Sequence, residues 1–283
     1  MTKKIIACID GSSSSAAVCD AAAWLSGSVS SPISLLHVID KEGYVTESNL
    51  TGAIGLGSRE HLLEELVELD AKRSKLAMQQ GKLMLEAAAQ RVEGDGATVS
   101  EVRQRHGQLV DTLGELDAEV AILVMGREGA EATKHPNSHI GSHLEHVIRT
   151  MQHPVLVALP PFTKPSKVVI ALDGSETSKK MLTMLNQNSL LDGLKCHLVT
   201  VGEQLDDTEL ATYTQQFVKR GIAHKVQRLE GEVVDALLDY VAQEGIEMIA
   251  MGAYGQSRIR QFILGSTTTK LIGESPVPLL ILR

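Results

Sequence analysis

The sequence predicts an α/β protein of two tandem domains, each a set of parallel strands covered by helices. Three observations carry this: an internal repeat, an alternation of short β-branched runs with helix-length stretches, and a length of 283 residues. That length suits about two domains of roughly 100 to 200 residues each.

The repeat organises the chain. Lys4 to Asp10, followed by Gly11 and Ser12, matches Lys167 to Asp173, followed by Gly174 and Ser175, at an offset of 163. Leu36 to Val38 falls on Val199 to Val201 at the same offset. Further on, Met125 and Gly126 correspond to Met251 and Gly252, Gly141 and Ser142 to Gly265 and Ser266, and Pro154 to Val157 to Pro278 to Ile281. Between the copies Leu159 to Pro165 is proline-rich and without helical periodicity, which predicts an exposed linker and domains of 1–162 and 163–283.

Strands are expected in the first half at Ile5 to Ile9, Ile33 to Ile39, Val99 to Gln104, Val120 to Met125 and Val155 to Leu159. The second half repeats them at Val168 to Leu172, His197 to Val201, Ala223 to Leu229, Met248 to Met251 and Leu279 to Leu282. Runs apolar on both faces and separated by helix-length segments imply parallel strands between helical layers. Ligands of such sheets bind beyond the carboxyl ends of the strands, where Asp10, Asp173 and the glycines after the fourth strands should meet. Whether two chains associate stays open.

The first half is 37 residues longer between Val38 and Met125 than the second between Val201 and Met251. Glycines 52, 55 and 57 suggest a loop, and Arg59 to Arg91 reads as a long helix with Leu62, Leu66, Leu69, Leu76 and Leu83 on one stripe. The preferred reading of the stripe is packing on its own domain; partner docking or dimerisation is the alternative.

A net charge of −8, from 27 basic and 35 acidic residues, argues against nucleic acid or an anionic membrane as partner. Cys8, Cys19 and Cys196 lack the spacing of a disulfide framework or zinc ribbon. No run approaches the roughly 20 apolar residues of a membrane span. The expected location is a reducing cytoplasm.

Gly252, Gly255, Gly265 and Ser266 lie between an apolar strand and a helix start. Glycines let backbone N–H groups approach an anion, and a helix N-terminus presents unpaired donors to it. The plainer reading makes Gly252 and Gly255 turn residues and Ser266 a cap. Taken with Asp173 and Val201, the set resembles the universal stress proteins in their tandem form, whose ATP-binding members carry G-x2-G-x9-G-(S/T).

The resemblance implies a Rossmann-like, five-stranded parallel sheet with helices on both faces in each half, and contact of the halves through their final strands, Pro154 to Leu159 and Pro278 to Leu282, as an intramolecular pseudo-dimer. It also implies ATP, accompanied by Mg²⁺, in the second half. Asp173 and the Val201 backbone would hold the adenosine part, with Ala171 and Leu172 lining its pocket. Met251 and Gly252 would lie near the ribose, and Gly255, Gly265, Ser266 and Thr267 would face the phosphates. Arg258 and Arg260 either neutralise phosphate or are solvated loop charges.

The first half keeps Asp10, Val38, Gly126, Gly129, Gly141 and Ser142, but eleven residues rather than nine separate the last two glycines. Glu128 and Glu131 add opposing charge, so a degenerate or differently specific pocket is expected there. His135, His139, His143 and His146 cluster in the same region, a zinc candidate set against solvated or phosphate-facing histidines. Three functions compete: a nucleotide-dependent regulatory module, a slow ATPase, and a scaffold working through the long helix. A G-x-x-x-x-G-K-(S/T) loop is absent, which favours binding over hydrolysis.

Overall fold

The computed structural model describes residues 3–40, 56–129, 140–202, 205, 207–253 and 266–282, without the side chains of 56–63 and 207. Strands β1 (Lys4–Cys8), β2 (Ile33–Ile39), β3 (Val99–His106), β4 (Val120–Gly126) and β5 (Val155–Ala158) belong to the first half. Strands β6 (Lys167–Ala171), β7 (Lys195–Val201), β8 (His224–Leu229), β9 (Met248–Gly252) and β10 (Leu279–Leu282) belong to the second. Expected and observed strands differ by at most a few residues; β3 runs on to His106 because it pairs with β2 along its whole length, Ile39 opposite His106.

Each half has the order of a doubly wound sheet. All pairs within a half are parallel, and the halves join into one ten-stranded sheet ordered β3-β2-β1-β4-β5-β10-β9-β6-β7-β8. The junction is antiparallel, with Leu279 opposite Val157 and Ile281 opposite Val155. Final strands pair as expected, and each covers an edge that would otherwise offer unpaired backbone groups.

Helices α1 (Ser15–Val29), α2 (Leu56–Gly94), α5 (Glu176–Gln187) and α6 (Asp207–Arg220) cover one face. There Leu25, Leu85, Leu185 and Phe217 pack with Ile5, Ala7, Val168 and Ile170. Helices α3 (Leu109–Glu115), α4 (Ser142–Thr150), α7 (Val233–Glu244) and α8 (Ser266–Glu274) cover the other. On that side Leu113, Val147, Val241 and Leu271 pack with Ile6 and Val169. Neighbouring strand residues therefore enter opposite cores, the two-residue alternation that makes a central strand apolar throughout.

Two expectations need correction. The linker is exposed only in part: Pro160, Pro161, Thr163 and Lys164 are, but Leu159, Phe162 and Pro165 are buried, and the Phe162 ring lies tilted 6.0 Å from Trp24 of α1. Within the leucine stripe of the long helix, Leu69, Leu76 and Leu83 do not pack on the domain, being 50%, 64% and 65% exposed, while Leu66 is half-buried and the Leu62 side chain lies outside the described residues. What α2 buries is a different face, Gly81, Leu85, Ala88 and Val92. The small residues there permit close approach: His37 and Gln104 occupy the space a Cβ at position 81 would need.

Candidate functional site

In both halves the strand order reverses beside the first strand, between β1 and β4 and between β6 and β9, the crevice position of doubly wound sheets. At the second crevice the structure brings together Ala171 at the end of β6, Leu172 and Asp173 just beyond it, Val201 ending β7, and Met251 and Gly252 ending β9. Ser266 and Thr267 open α8 and are exposed, while Thr268 turns inward and its hydroxyl donates to the Ala253 carbonyl at 2.9 Å. Gly255, Gly265, Arg258 and Arg260 lie outside the described residues, as do His135, His139 and Glu131.

Asp173 is fixed by the turn it begins. Gly174 takes a φ of +72°, which glycine adopts without strain, and turns the chain so that the Ser175 N–H and the Ser178 hydroxyl donate to Asp173 Oδ1. Ser175 caps α5, accepting from the Ser178 N–H at 3.2 Å. The carboxylate is thus oriented by the helix start it faces. Leu172 sits differently from the expectation of a pocket wall: its side chain is 3% exposed in the core, and its N–H donates to the Val199 carbonyl.

Glycine at 252 has a steric reason. A Cβ there would stand 2.9 Å from Thr177 Cγ2, so β9 ends flush against the start of α5. The first half repeats this geometry, with Ser14 Cβ in the space that a Cβ on Gly126 would need.

Beyond that shared frame the first crevice is filled by its own chain. The Met84 sulfur of α2 occupies the space over Gly11, and a Cβ on Gly129 would meet Asp10 Oδ2 at 3.3 Å. The Gly141 N–H donates to the Arg127 carbonyl at 3.0 Å, and the Ser12 hydroxyl to the Glu128 carbonyl at 3.4 Å. Gly141 precedes α4 as its N-cap, so His143 and His146 stand on that helix. Among the described residues no group of three His, Cys, Asp or Glu side chains stands together to hold a metal ion.

Arg127 was not singled out by sequence. Its guanidinium crosses to the second half and donates to the carbonyls of Gly273 and Ser275, at 3.3 and 2.9 Å, closing the C-terminal end of α8. Its counterpart by position, Ala253, is fully buried and has no side chain to reach across. Only a broken symmetry in the repeat, Met-Gly-Arg against Met-Gly-Ala, signals this in the sequence.

The cysteines offer no nucleophile. Burial pushes the Cys8 and Cys196 thiols up to about 12 and that of Cys19 to about 11, so all three stay protonated at neutral pH. No helix among the described residues is long and apolar enough to cross a membrane.

Comparison with known proteins matches this arrangement. A universal stress protein of Synechocystis, Slr1230, is 34% identical over 287 aligned positions, covering 99% of this chain and 100% of its own. One from Thermus aquaticus is 24% identical over 133 positions, 41% of this chain and 97% of its own. Among solved structures, a universal stress protein from Archaeoglobus fulgidus shares the fold with a TM-score of 0.70 at 22% identity, covering 99% of this chain and 96% of that one. A functionally unknown protein from Pseudomonas aeruginosa gives a TM-score of 0.60 at 15% identity, over 99% and 92% of the two chains. The Universal stress protein family model matches residues 1–158 and 201–283. With the doubled sheet, the paired crevices and a full-length relative in agreement, the chain belongs to the universal stress protein family.

Proposed function

We propose that the protein is a cytoplasmic, nucleotide-dependent regulatory module that binds ATP in the half from 163 to 283 and leaves the first crevice empty of nucleotide. The observation that carries this reading is the first crevice, where Met84 lies over Gly11 and loop residues close on Asp10; the exposed Ser266 and Thr267 at the start of α8 support the assignment of nucleotide to the second half.

In this reading Asp173 and the Val201 backbone hold the adenosine part, beside Ala171, the Leu172 backbone and Met251. Gly252 keeps the strand end flush so that ribose can approach. Gly255, Gly265, Ser266 and Thr267 donate to the phosphates, where unpaired N–H groups of the α8 start and hydroxyls suit negative charge. Mg²⁺ would be held mainly by phosphate oxygens and water, which needs no cage of protein ligands. Binding, not hydrolysis, is the activity proposed. ATP acts by binding one arrangement of the halves more tightly than another.

Isothermal titration of the purified, nucleotide-stripped chain with ATP tests the reading. One site per chain is expected, weakened at least about tenfold in Gly255→Asp, where a carboxylate would stand against phosphate. Unchanged affinity in that variant removes the proposed site. Phosphate release lost on Ser266→Ala would instead make the protein an ATPase.

A further inference from the structure

Helix α2 has two apolar faces, and only one is used. The buried face, Gly81, Leu85, Ala88 and Val92, lies on the sheet. Leu69, Leu76 and Leu83 lie roughly 150° around the helix from it, at 100° per residue, and half or more of each is exposed. They are seven residues apart, and Leu62 extends the same spacing in sequence. A leucine every seventh residue over three heptads follows a supercoiled seam, not the surface of a sheet, and its natural occupant is another helix.

Position reinforces this. Met84 and Gly81 mark where α2 passes the carboxyl ends of the strands, beside Gly11 and His37. From 64 to 76 every residue but the half-buried Leu66 is exposed, and the helix stands clear of the domain until Gln104 of β3 donates to the Met78 carbonyl at 3.2 Å. Helix α6, its counterpart, has 14 residues against 39 and ends at the matching point. The extra length is thus almost entirely projecting helix.

Charge selects the partner. Glu64, Glu65, Glu68 and Asp70 form an acidic stretch, followed directly by Lys72, Arg73 and Lys75. A parallel pair in register would set like charges together. An antiparallel pair centred on Glu68 sets Glu64 and Glu65 of each copy beside Lys72 and Arg73 of the other and brings Leu66 and Leu69 of the two copies together. In that register the segments from 56 to 80 overlap fully, about 37 Å at 1.5 Å per residue, with the two sheets at opposite ends.

We propose that α2 is a dimerisation arm, pairing antiparallel with α2 of a second copy of this chain through the Leu69/Leu76 face. Sedimentation velocity of the full chain across the micromolar range should show a monomer–dimer equilibrium. Leu69→Lys with Leu76→Lys should weaken it at least about tenfold, with an unchanged melting temperature at dilutions where the parent is monomeric, because both side chains are exposed in the single chain. Orientation is read by oxidative cross-linking: Glu65→Cys mixed with Lys72→Cys should form a covalent dimer, and Leu76→Cys alone should not. A chain monomeric throughout, or a dimer that survives the double lysine variant, overturns the arm. Efficient cross-linking of Leu76→Cys alone, without the mixed product, overturns the antiparallel register.

Discussion

The two halves share a frame and part company at one edge. In both, a glycine ends the strand beside the crossover because the neighbouring helix start leaves no room for a Cβ, Ser14 against Gly126 and Thr177 against Gly252. In the first half, α2 runs past that edge and lays Met84 over Gly11, and the Gly129 and Gly141 backbones close on each other and on Asp10. In the second, α6 is 25 residues shorter (39 against 14), and α8 begins with exposed Ser266 and Thr267. A duplicated unit can therefore keep its strand ends intact while the surroundings of the same crevice diverge.

Valine at the paired glycines gives the largest separation. Gly252→Val should lower ATP affinity at least about tenfold, because the added methyls displace the strand end from Thr177. Gly126→Val should leave that affinity nearly unchanged while costing about 1–3 kcal/mol of stability, since Ser14 is buried and cannot withdraw. Titration calorimetry and thermal denaturation of both variants measure the contrast. Equal loss of nucleotide in the two would mean that the crevices are not functionally distinct.

Arg127 joins the halves outside the pairing of β5 with β10. Its removal in Arg127→Ala leaves the Gly273 and Ser275 carbonyls without their charged donor, a loss of about 1.5–3 kcal/mol by the usual worth of such bonds. Because α8 carries Ser266 at its other end, the expected signature is faster amide exchange along α8 with a severalfold weaker ATP affinity in a half that the residue does not belong to. Restored exchange protection in Arg127→Lys would identify the charge as the agent. Unchanged exchange in Arg127→Ala would reduce the contact to local packing.

Strand positions and topology were legible because central parallel strands are apolar on both faces and bounded by glycine turns, as at Lys167 to Gly174. The paired crevices were legible because the repeat places Asp10 and Asp173 identically. Three features were not. The periodicity of Leu69, Leu76 and Leu83 predicts an apolar stripe but not which side of the helix meets the sheet, and the smaller residues Gly81 and Ala88 won that side by allowing close approach. Leu159 to Pro165 has the composition of a free linker, yet Phe162 finds Trp24, a tertiary contact without local signature. Arg127 acts across 146 positions, beyond any motif.

Met84→Ala tests whether the first crevice is closed by that side chain. The loss of a half-buried methionine should cost about 1–2 kcal/mol, below the range for fully buried positions. If Met84 is only one of several obstacles, ATP stoichiometry by calorimetry stays at one per chain, as expected from Glu128 and the closed Gly129–Gly141 contact. A second site appearing in Met84→Ala would make the inserted helix the sole difference between the crevices.

The smallest effect lies at the opposite edge of the sheet, where the first half places Lys4, Glu101, Arg103 and Glu119 in one network. Arg103 beside it, then Lys4, hold the Glu101 carboxyl down at about 2, against an ordinary 4.5. A carboxylate depressed on folding stabilises fully above its unfolded value and loses that contribution as pH falls through its folded one. Glu101→Gln should therefore be less stable than the parent by about 1 kcal/mol or less at neutral pH, the group being partly solvated. The difference should shrink between about pH 4.5 and 2 and vanish below that. Chemical denaturation across that interval measures it, and a gap independent of pH would assign the loss to packing. The second half has no such four-charge network among its described residues. It seats Glu247 on the Ser166 and Lys167 backbone instead. Its acid response should accordingly follow Glu247, whose carboxyl those same N–H groups and the Ser166 hydroxyl hold below its ordinary value.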